Sequence, residues 1–137
     1  MKHELWIIDN DKPRLKQLRE VLKEEGLKDQ IKIKQFDYLA KAYDVVGSPT
    51  FILIDTTSIM GGITLYGCFD TAISVCRGFA EKHVSSFICI QSAVYSWAED
   101  IVEEIKDLFE AIPIEAIEAD SFKIVNWLKK YLIAMEK

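Results

Sequence analysis

The stretch that decides the fold is LWIIDNDKP, residues 5–13. Four large apolar residues run directly into Asp9, Asn10 and Asp11, and Pro13 follows. A short, continuous apolar run predicts a strand that is buried on both faces, because a half-exposed strand would alternate apolar and polar residues. Carboxylates are costly to desolvate, and they repel each other. Asp9 and Asp11 therefore either cap the next helix at an exposed strand end or form part of a site.

Four more segments along the chain have strand patterns. FILID (51–55) is again continuously apolar and ends in an aspartate, and FICI (87–90) runs into Gln91-Ser92-Ala93. IKIKQF (31–36) alternates apolar and polar residues, which is typical of a strand nearer a sheet edge. IEAI (114–117) follows a proline and predicts a short last strand.

Helical patterns separate these strands. The predicted helices cover residues 12–25, 37–46, about 70–83, 96 to about 110, and from about 121 onward. Pro13 suits a first turn and Gly26 a C-cap, Asp70 is a candidate N-cap, and Ser96-x-x-Glu99 has the capping-box pattern. In the last helix the predicted inward residues are Phe122, Val125, Leu128, Leu132 and Met135. Residues 56–69 contain Gly61, Gly62 and Gly67 and predict a long loop.

Strict alternation of strands and helices predicts a doubly wound α/β fold in a three-layer sandwich. The five strands would form a parallel sheet in the flavodoxin-like order 2-1-3-4-5, because the apolar strands belong in the middle. The 137 residues show no linker or internal repeat, so we expect a single domain over residues 1–137.

Composition excludes several classes of function. A net charge of −5 argues against a nucleic-acid-binding surface, and no apolar run approaches membrane-spanning length. Three cysteines without a CxxC motif fit a reducing compartment, and two distant histidines make a zinc site an unattractive hypothesis. With no signal peptide in the sequence, these features predict a soluble cytoplasmic protein that binds neither nucleic acid nor membrane.

Polar residues follow the ends of several strands. In this fold, ligands bind beyond the carboxyl ends of the strands, at the point where the winding reverses. The order 2-1-3-4-5 makes the first and third strands neighbours, so Asp9 and Asp55 should end side by side. The fourth strand would bring Ser92 to the same edge, and the fifth Glu118, with Asp120 just after it.

This arrangement resembles the receiver domain of bacterial two-component response regulators, over the whole chain. IIDND matches the family's acidic cluster, LID with Asp55 its phosphoacceptor, and QSA with Ser92 its hydroxyl position. The resemblance implies that Asp9, Asp11 and Asp55 hold Mg²⁺ weakly, with Asn10, Thr57 and Glu118 also lining the pocket. It also implies a signalling protein rather than an enzyme, whose partner is a histidine kinase, an effector or a second copy of the chain.

Several positions depart from the family pattern. No lysine lies between Lys106 and Lys123, so the fifth strand presents Glu118 where the family has lysine. The second acidic position is Asn10, the loop after Asp55 lacks the usual proline, and no aromatic residue lies in IEAIE. An anion in place of a cation beside a phosphoryl group costs roughly a few kcal/mol. These departures predict a degenerate receiver, or pseudo-receiver.

Two other functions remain open from the sequence. Asp9-x-Asp11 also matches the first motif of haloacid-dehalogenase-type phosphatases, with Asp9 as nucleophile and Asp11 as general acid, although Pro13 replaces the expected Thr or Val. Alternatively, the chain is an interaction domain without an active site. We expect the apolar segment 63–69 either to cover the core or to bind a partner. Trp97, Trp127 and Tyr131 are predicted to be half-buried packing residues, with Trp97 and Trp127 adding apolar area to a partner-binding face.

Overall fold

In the computed structural model, which describes residues 2–60, 69–109 and 112–136, the strands form one parallel sheet. Within these ranges the sheet has five strands in the order β2-β1-β3-β4-β5, as predicted. Their bounds are β1 His3–Ile8, β2 Ile31–Phe36, β3 Phe51–Asp55, β4 Phe87–Ser92 and β5 Glu115–Glu118. β1 pairs with β2 on one side and β3 on the other, so the carboxyl ends of β1 and β3 are adjacent.

Helices cover both faces of the sheet. They are α1 Lys12–Glu24, α2 Leu39–Tyr43, α3 Phe69–Glu81, α4 Tyr95–Ile105 and α5 Ser121–Glu136, with short 3₁₀ turns at Thr56–Ser58 and Lys106–Leu108. Apolar residues of α2, α3 and α4 pack on one face of the sheet, and those of α1 and α5 on the other. The three central strands are buried on both faces, which explains their continuous apolar runs.

The first helix begins and ends as predicted. Asp11 is its N-cap, and its side chain accepts a hydrogen bond from the Arg14 backbone N–H at 3.0 Å. Pro13 lies in the first turn, where its missing N–H leaves no bond unmade. Gly26 follows the last turn with φ of 73°, a left-handed conformation that glycine adopts most easily.

The bounds of α2 and α3 differ from the predictions, and α2 begins at Leu39 rather than residue 37. α2 ends at Tyr43 rather than near residue 46, because β-branched Val45 and Val46 lead into Gly47 and disfavour another helical turn. α3 begins at Phe69, so Asp70 lies within the first turn and is not the N-cap, and the helix ends at Glu81.

The predicted capping box of α4 is wrong. The N-cap is Val94, which makes no side-chain cap bond, and Ser96 lies inside the first turn. Ser92 stabilises the turn that leads into the helix instead. Its Oγ accepts a hydrogen bond from the Val94 backbone N–H at 3.1 Å. α4 ends at Ile105 and a 3₁₀ turn follows, whereas the prediction extended the helix to about residue 110.

The buried stripe of α5 differs in part from the prediction. Val125, Leu128 and Leu132 are buried as predicted, but Phe122 and Met135 are 55% and 40% exposed. The helix carries more apolar residues than one stripe can hold. Ile124, Trp127 and Tyr131 are buried instead, so Trp127 and Tyr131 are core residues rather than half-buried ones; Trp97 is half-buried.

Two sequence predictions concern segments described only in part. The predicted loop 56–69 begins with the 3₁₀ turn Thr56–Ser58, and residues 61–68 lie outside the described ranges. The alternatives for the apolar segment 63–69 therefore also fall mostly outside them. Across the described ranges, no helix combines the length and apolarity needed to cross a bilayer.

Candidate functional site

The carboxyl ends of β1 and β3 bring Asp9 and Asp55 together. Ile8 and Ile54, the residues before them, are register partners in the sheet. The two aspartates are only 4% and 2% exposed. Two buried carboxylates side by side are unfavourable unless donors or a cation neutralise them. The meeting of these two residues is as the sequence predicted, and it raises the question of what compensates their charge.

The compensating group is the guanidinium of Arg14. Its Nη1 lies 3.0 Å from Asp9 Oδ2 and 2.9 Å from Asp55 Oδ1, and its Nη2 lies 3.4 Å from Asp11 Oδ2. One cation thus contacts all three carboxylates that the sequence assigned to a metal site. The side chain reaches back from the first turn of α1, and it is 23% exposed. Arg14 is therefore a built-in counter-ion of the acidic cluster.

Other donors complete the coordination of both buried carboxylates. Asp9 Oδ1 accepts from the Asp11 backbone N–H, and Oδ2 accepts from Gln91 Nε2, each at 3.0 Å. Asp55 Oδ2 accepts from the Thr57 backbone N–H at 3.2 Å and from the Thr57 hydroxyl. Thr57 is exposed, but it holds the Asp55 carboxylate in place. Each oxygen of Asp9 and Asp55 therefore has at least one donor.

The remaining predicted pocket residues lie in different surroundings. Ser92 is buried, and its Oγ accepts a hydrogen bond from Thr56 Oγ1 at 2.8 Å as well as the bond from α4. Asn10 is exposed. Glu118 is also exposed and forms a 2.7 Å ion pair with Lys123 in the first turn of α5. Asp120 accepts from the Phe122 backbone N–H at 2.8 Å, as a helix cap does.

Sequence reasoning missed Arg14 and Gln91. Helical periodicity groups Arg14 with Lys12, Lys16 and Arg19 on the outer face of α1, and those three residues are exposed. Its signal is the spacing of three residues from Asp11, which allows a side chain in the first helical turn to turn back over its own cap. Gln91 is a buried polar residue near the end of an otherwise apolar strand, and such a residue needs a partner.

The charges of the cluster shift two pKa values. Burial and the nearby Asp55 charge raise the pKa of Asp9, although hydrogen bonds from Asp11 and the charge of Arg14 oppose the shift. Burial alone would lower the pKa of Arg14, but the charges of Asp9 and Asp55 outweigh it and the net shift is upward. Arg14 is therefore a permanent cation, and Asp9 retains its proton more readily in the folded than in the unfolded chain.

This shift predicts the pH dependence of an Asp9→Asn variant. A raised folded pKa stabilises the folded state most below the ordinary Asp value of 3.8, and this contribution is lost as the pH rises through the folded pKa. The variant lacks the titration, so its free energy of unfolding relative to wild type should rise between about pH 3 and pH 7. Urea unfolding at a series of pH values measures this. A relative stability that is flat or falls with pH would contradict the assignment.

Clustered carboxylates such as these are candidate ligands for a divalent cation. Asp9, Asp11 and Asp55 supply the hard oxygen donors that Mg²⁺ prefers. Arg14, however, contacts all three, and nowhere in residues 2–60, 69–109 or 112–136 is a group of three or more acidic, histidine or cysteine side chains arranged to hold a metal ion. The three carboxylates are therefore suitable ligands for Mg²⁺, but the Arg14 guanidinium occupies the position between them.

Comparison with known proteins identifies the fold. No protein-family model and no curated protein matches the chain. Among solved structures, the phosphorylated cyanobacterial phytochrome response regulator RcpA is similar, with 14% identity, a TM-score of 0.65, and 98% of this chain and 96% of that chain covered. The chain has the receiver-domain fold. At this level of identity the likeness concerns the fold alone.

Two further response regulators share the receiver fold. Thermotoga maritima DrrB, an OmpR/PhoB homologue, matches at 14% identity with a TM-score of 0.64; all of this chain is covered, but it spans only 55% of DrrB. A Burkholderia pseudomallei response regulator matches at 14% identity and a TM-score of 0.57, over 90% of this chain and 65% of that one. That structure contains a phosphorylated aspartic acid, a calcium ion and citrate. The low identities agree with the departures seen in the sequence.

Proposed function

We propose that this chain is a receiver-like signalling module that acts through protein–protein contacts, with Asp55 as the phosphoacceptor of a degenerate site. The observation that carries the proposal is the burial of Asp55 beside Asp9 at the junction of β1 and β3 in a receiver fold. Phosphorylation occurs on an aspartic acid in the B. pseudomallei relative, and RcpA was also studied in phosphorylated form. Asp55 is the aspartate that ends β3 here.

The chemistry proposed for Asp55 is phosphoryl transfer to its carboxylate. An Asp55 oxygen attacks the phosphorus of a small donor such as acetyl phosphate, a new P–O bond forms, and acetate leaves with the electron pair of the broken bond. Both carboxylate oxygens already accept hydrogen bonds, and Oδ1 must release Arg14 or share it. We therefore expect slow transfer. Glu118 neutralises Lys123, the cation that follows β5, and this removes a further source of charge stabilisation.

Arg14 would also compete with a metal ion for the carboxylates. We propose that Mg²⁺ binds only weakly to Asp9, Asp11 and Asp55, because Arg14 must leave before the three carboxylates can turn to another cation. When bound, Mg²⁺ would neutralise charge at the carboxylates. In its absence Arg14 does so, and the acidic cluster stays folded without a metal.

We propose that output is by constitutive contact through the face formed by α4, β5 and α5. Val94, Tyr95 and Phe122 are 42%, 41% and 55% exposed, and they flank the paired ends of β4 and β5. Trp97 is half-buried there, whereas the hypothesis that Trp127 adds area to this face is wrong, because Trp127 packs edge-to-face on Phe51 in the core. The partner is a histidine kinase, an effector or a second copy, in the cytoplasm, and residues 1–137 act as one domain.

Acetyl phosphate tests this proposal directly. Wild type and an Asp55→Asn variant are incubated with acetyl phosphate and Mg²⁺, and phosphoryl adducts are measured by intact mass. We expect slow, substoichiometric labelling of wild type and none of Asp55→Asn. Labelling that survives the substitution would place the acceptor elsewhere and overturn the assignment of Asp55.

The phosphatase hypothesis has less support. It needs Asp9 as nucleophile, but Asp9 Oδ2 is engaged by both Arg14 and Gln91. It needs Asp11 as general acid, but Asp11 caps α1. Turnover of a chromogenic phosphate monoester that is lost in Asp9→Ala would support it over the receiver proposal. If the chain is instead an interaction domain without an active site, we expect neither labelling by acetyl phosphate nor turnover of the phosphate monoester.

A further inference from the structure

A second feature of the molecule lies at the opposite edge of the sheet from β5. A groove of about 520 Å³ runs between α1 and the edge strand β2. Leu22, Ile31 and Ile33 form its apolar part, and charged side chains line the rest: Lys2, Lys16, Arg19, Glu20, Lys23, Lys28 and Lys32. This volume is within the range of natural ligand pockets, roughly 300–1,000 Å³.

The groove concentrates positive charge in an acidic protein. Six of the 17 basic residues line it, but only one of the 22 acidic residues does. All six basic side chains are exposed, and none of them forms a salt bridge within the described part of the chain. By contrast, Arg14, Arg77, Lys106, Lys123, Lys129 and Lys130 all contact carboxylates. The groove therefore carries uncompensated positive charge, which attracts anions.

The spacing of the α1 cations makes this a linear array. Lys16, Arg19 and Lys23 are separated by three and four residues, so they lie along one face of the helix. Lys32 is on β2, which pairs only with β1 within the described chain and leaves its outer backbone groups without a strand partner. An exposed strand edge is a place where an extended peptide can bind.

From these features we infer that the α1–β2 groove docks an acidic polypeptide segment of a partner protein, with one or two apolar side chains among its carboxylates. The carboxylates would pair with the lysines and Arg19, and the apolar side chains would contact the half-buried Ile33. The apolar floor favours a polypeptide over a nucleic acid, which binds chiefly through its phosphates. The acidic remainder of the chain would also repel a long polyanion.

This inference is independent of Asp55 and adds a second contact surface. β2 and β5 are at opposite edges of the sheet, so the groove and the α4–β5–α5 face can be occupied at the same time. A partner could bind at the groove without needing a phosphorylated form of the chain.

The test uses the full chain and three rhodamine-labelled probes followed by fluorescence anisotropy. The probes are a short peptide of Glu and Leu, the same peptide with Ser for Leu, and a single-stranded oligonucleotide. The groove variant is Arg19→Glu/Lys23→Glu. The control, Lys12→Glu/Lys41→Glu, changes the net charge equally at exposed positions outside the groove. Circular dichroism checks that both variants fold.

We expect the Glu/Leu peptide to bind wild type and the control alike, and the groove variant at least about tenfold more weakly, which is about 1.4 kcal/mol. Binding should weaken in high salt, because exposed charges are screened, and the Ser-containing peptide should bind less tightly. Equal loss in both variants, preference for the oligonucleotide, or no binding of the Glu/Leu peptide would overturn the inference.

Discussion

Replacing Arg14 with methionine is expected to lower the free energy of unfolding by about 2–3 kcal/mol at pH 7. Removing one partner of a fully buried ion pair costs about 3–5 kcal/mol, because the other charge stays buried without compensation. Arg14 is 23% exposed, so water recovers part of the cost. The loss arises because Asp9 and Asp55, at 4% and 2% exposure, would face each other with no cation between them.

The matched control for this prediction is Arg19→Met. Arg19 lies on the same helix, is exposed, and forms no salt bridge with the described residues. It should change stability by less than about 0.5 kcal/mol. Adding Asp55→Asn to Arg14→Met removes one of the repelling charges and should recover part of the loss, which a double-mutant cycle measures. A cost for Arg14→Met no larger than for Arg19→Met would contradict its role as counter-ion.

The same Arg14→Met variant is expected to bind Mg²⁺ at least about tenfold more tightly than wild type. Apparent affinity falls in proportion to the fraction of molecules in the binding-competent state. In wild type the competent state is the one in which Arg14 has left Asp9, Asp11 and Asp55, and three contacts of 2.9–3.4 Å oppose its formation. An Arg14-displaced fraction of about one in ten or below gives the tenfold difference.

Amide chemical shifts during an Mg²⁺ titration measure this difference. The shifts of Asp9, Asp11 and Asp55 should respond in wild type only at high concentration, earlier in Arg14→Met, and hardly at all once Asp9→Ala is added. Arg19→Met should behave as wild type. Equal affinities for wild type and Arg14→Met would show that Arg14 does not compete with the cation.

The sheet could be predicted from the sequence because the determinants are local. Continuous apolar runs that end in polar residues are typical of buried parallel strands, and β1, β3 and β4 follow this rule. The order of the strands then places Asp9 and Asp55 at neighbouring strand ends, and the structure agrees. This part of the site follows from topology alone, before any side-chain contact is known.

The side-chain contacts that neutralise Asp9 and Asp55 could not be predicted in the same way. Helical periodicity assigns Arg14 to the solvated face of α1, but its side chain is only 23% exposed. Only the length of its side chain and the position of β3 allow the guanidinium to reach Asp55. Gln91 likewise becomes a partner of Asp9 only because β4 lies beside β3. Such contacts depend on tertiary geometry, which a periodic pattern does not contain.

Some features of the helices were predicted wrongly for a related reason. Ser96-x-x-Glu99 has the capping-box pattern, but Ser92 already fixes the turn through the Val94 N–H, so α4 begins at Tyr95. In α5 the apolar residues exceed one buried stripe, and which of them face the core depends on the sheet beneath. Phe122, which was predicted to face inward, is consequently exposed, and Trp127, which was predicted to be half-buried, is fully in the core.

The response to beryllofluoride, a phosphoryl analogue, tests most directly whether the receiver-like site is closed by Arg14 and therefore switches weakly. Amide shifts of wild type and Asp55→Asn are compared with and without beryllofluoride and Mg²⁺. We expect small shifts in wild type, confined to residues around Asp9, Asp55 and Ser92, and none in Asp55→Asn. Saturating binding with large shifts across α4, β5 and α5 would contradict this account and reveal a working switch.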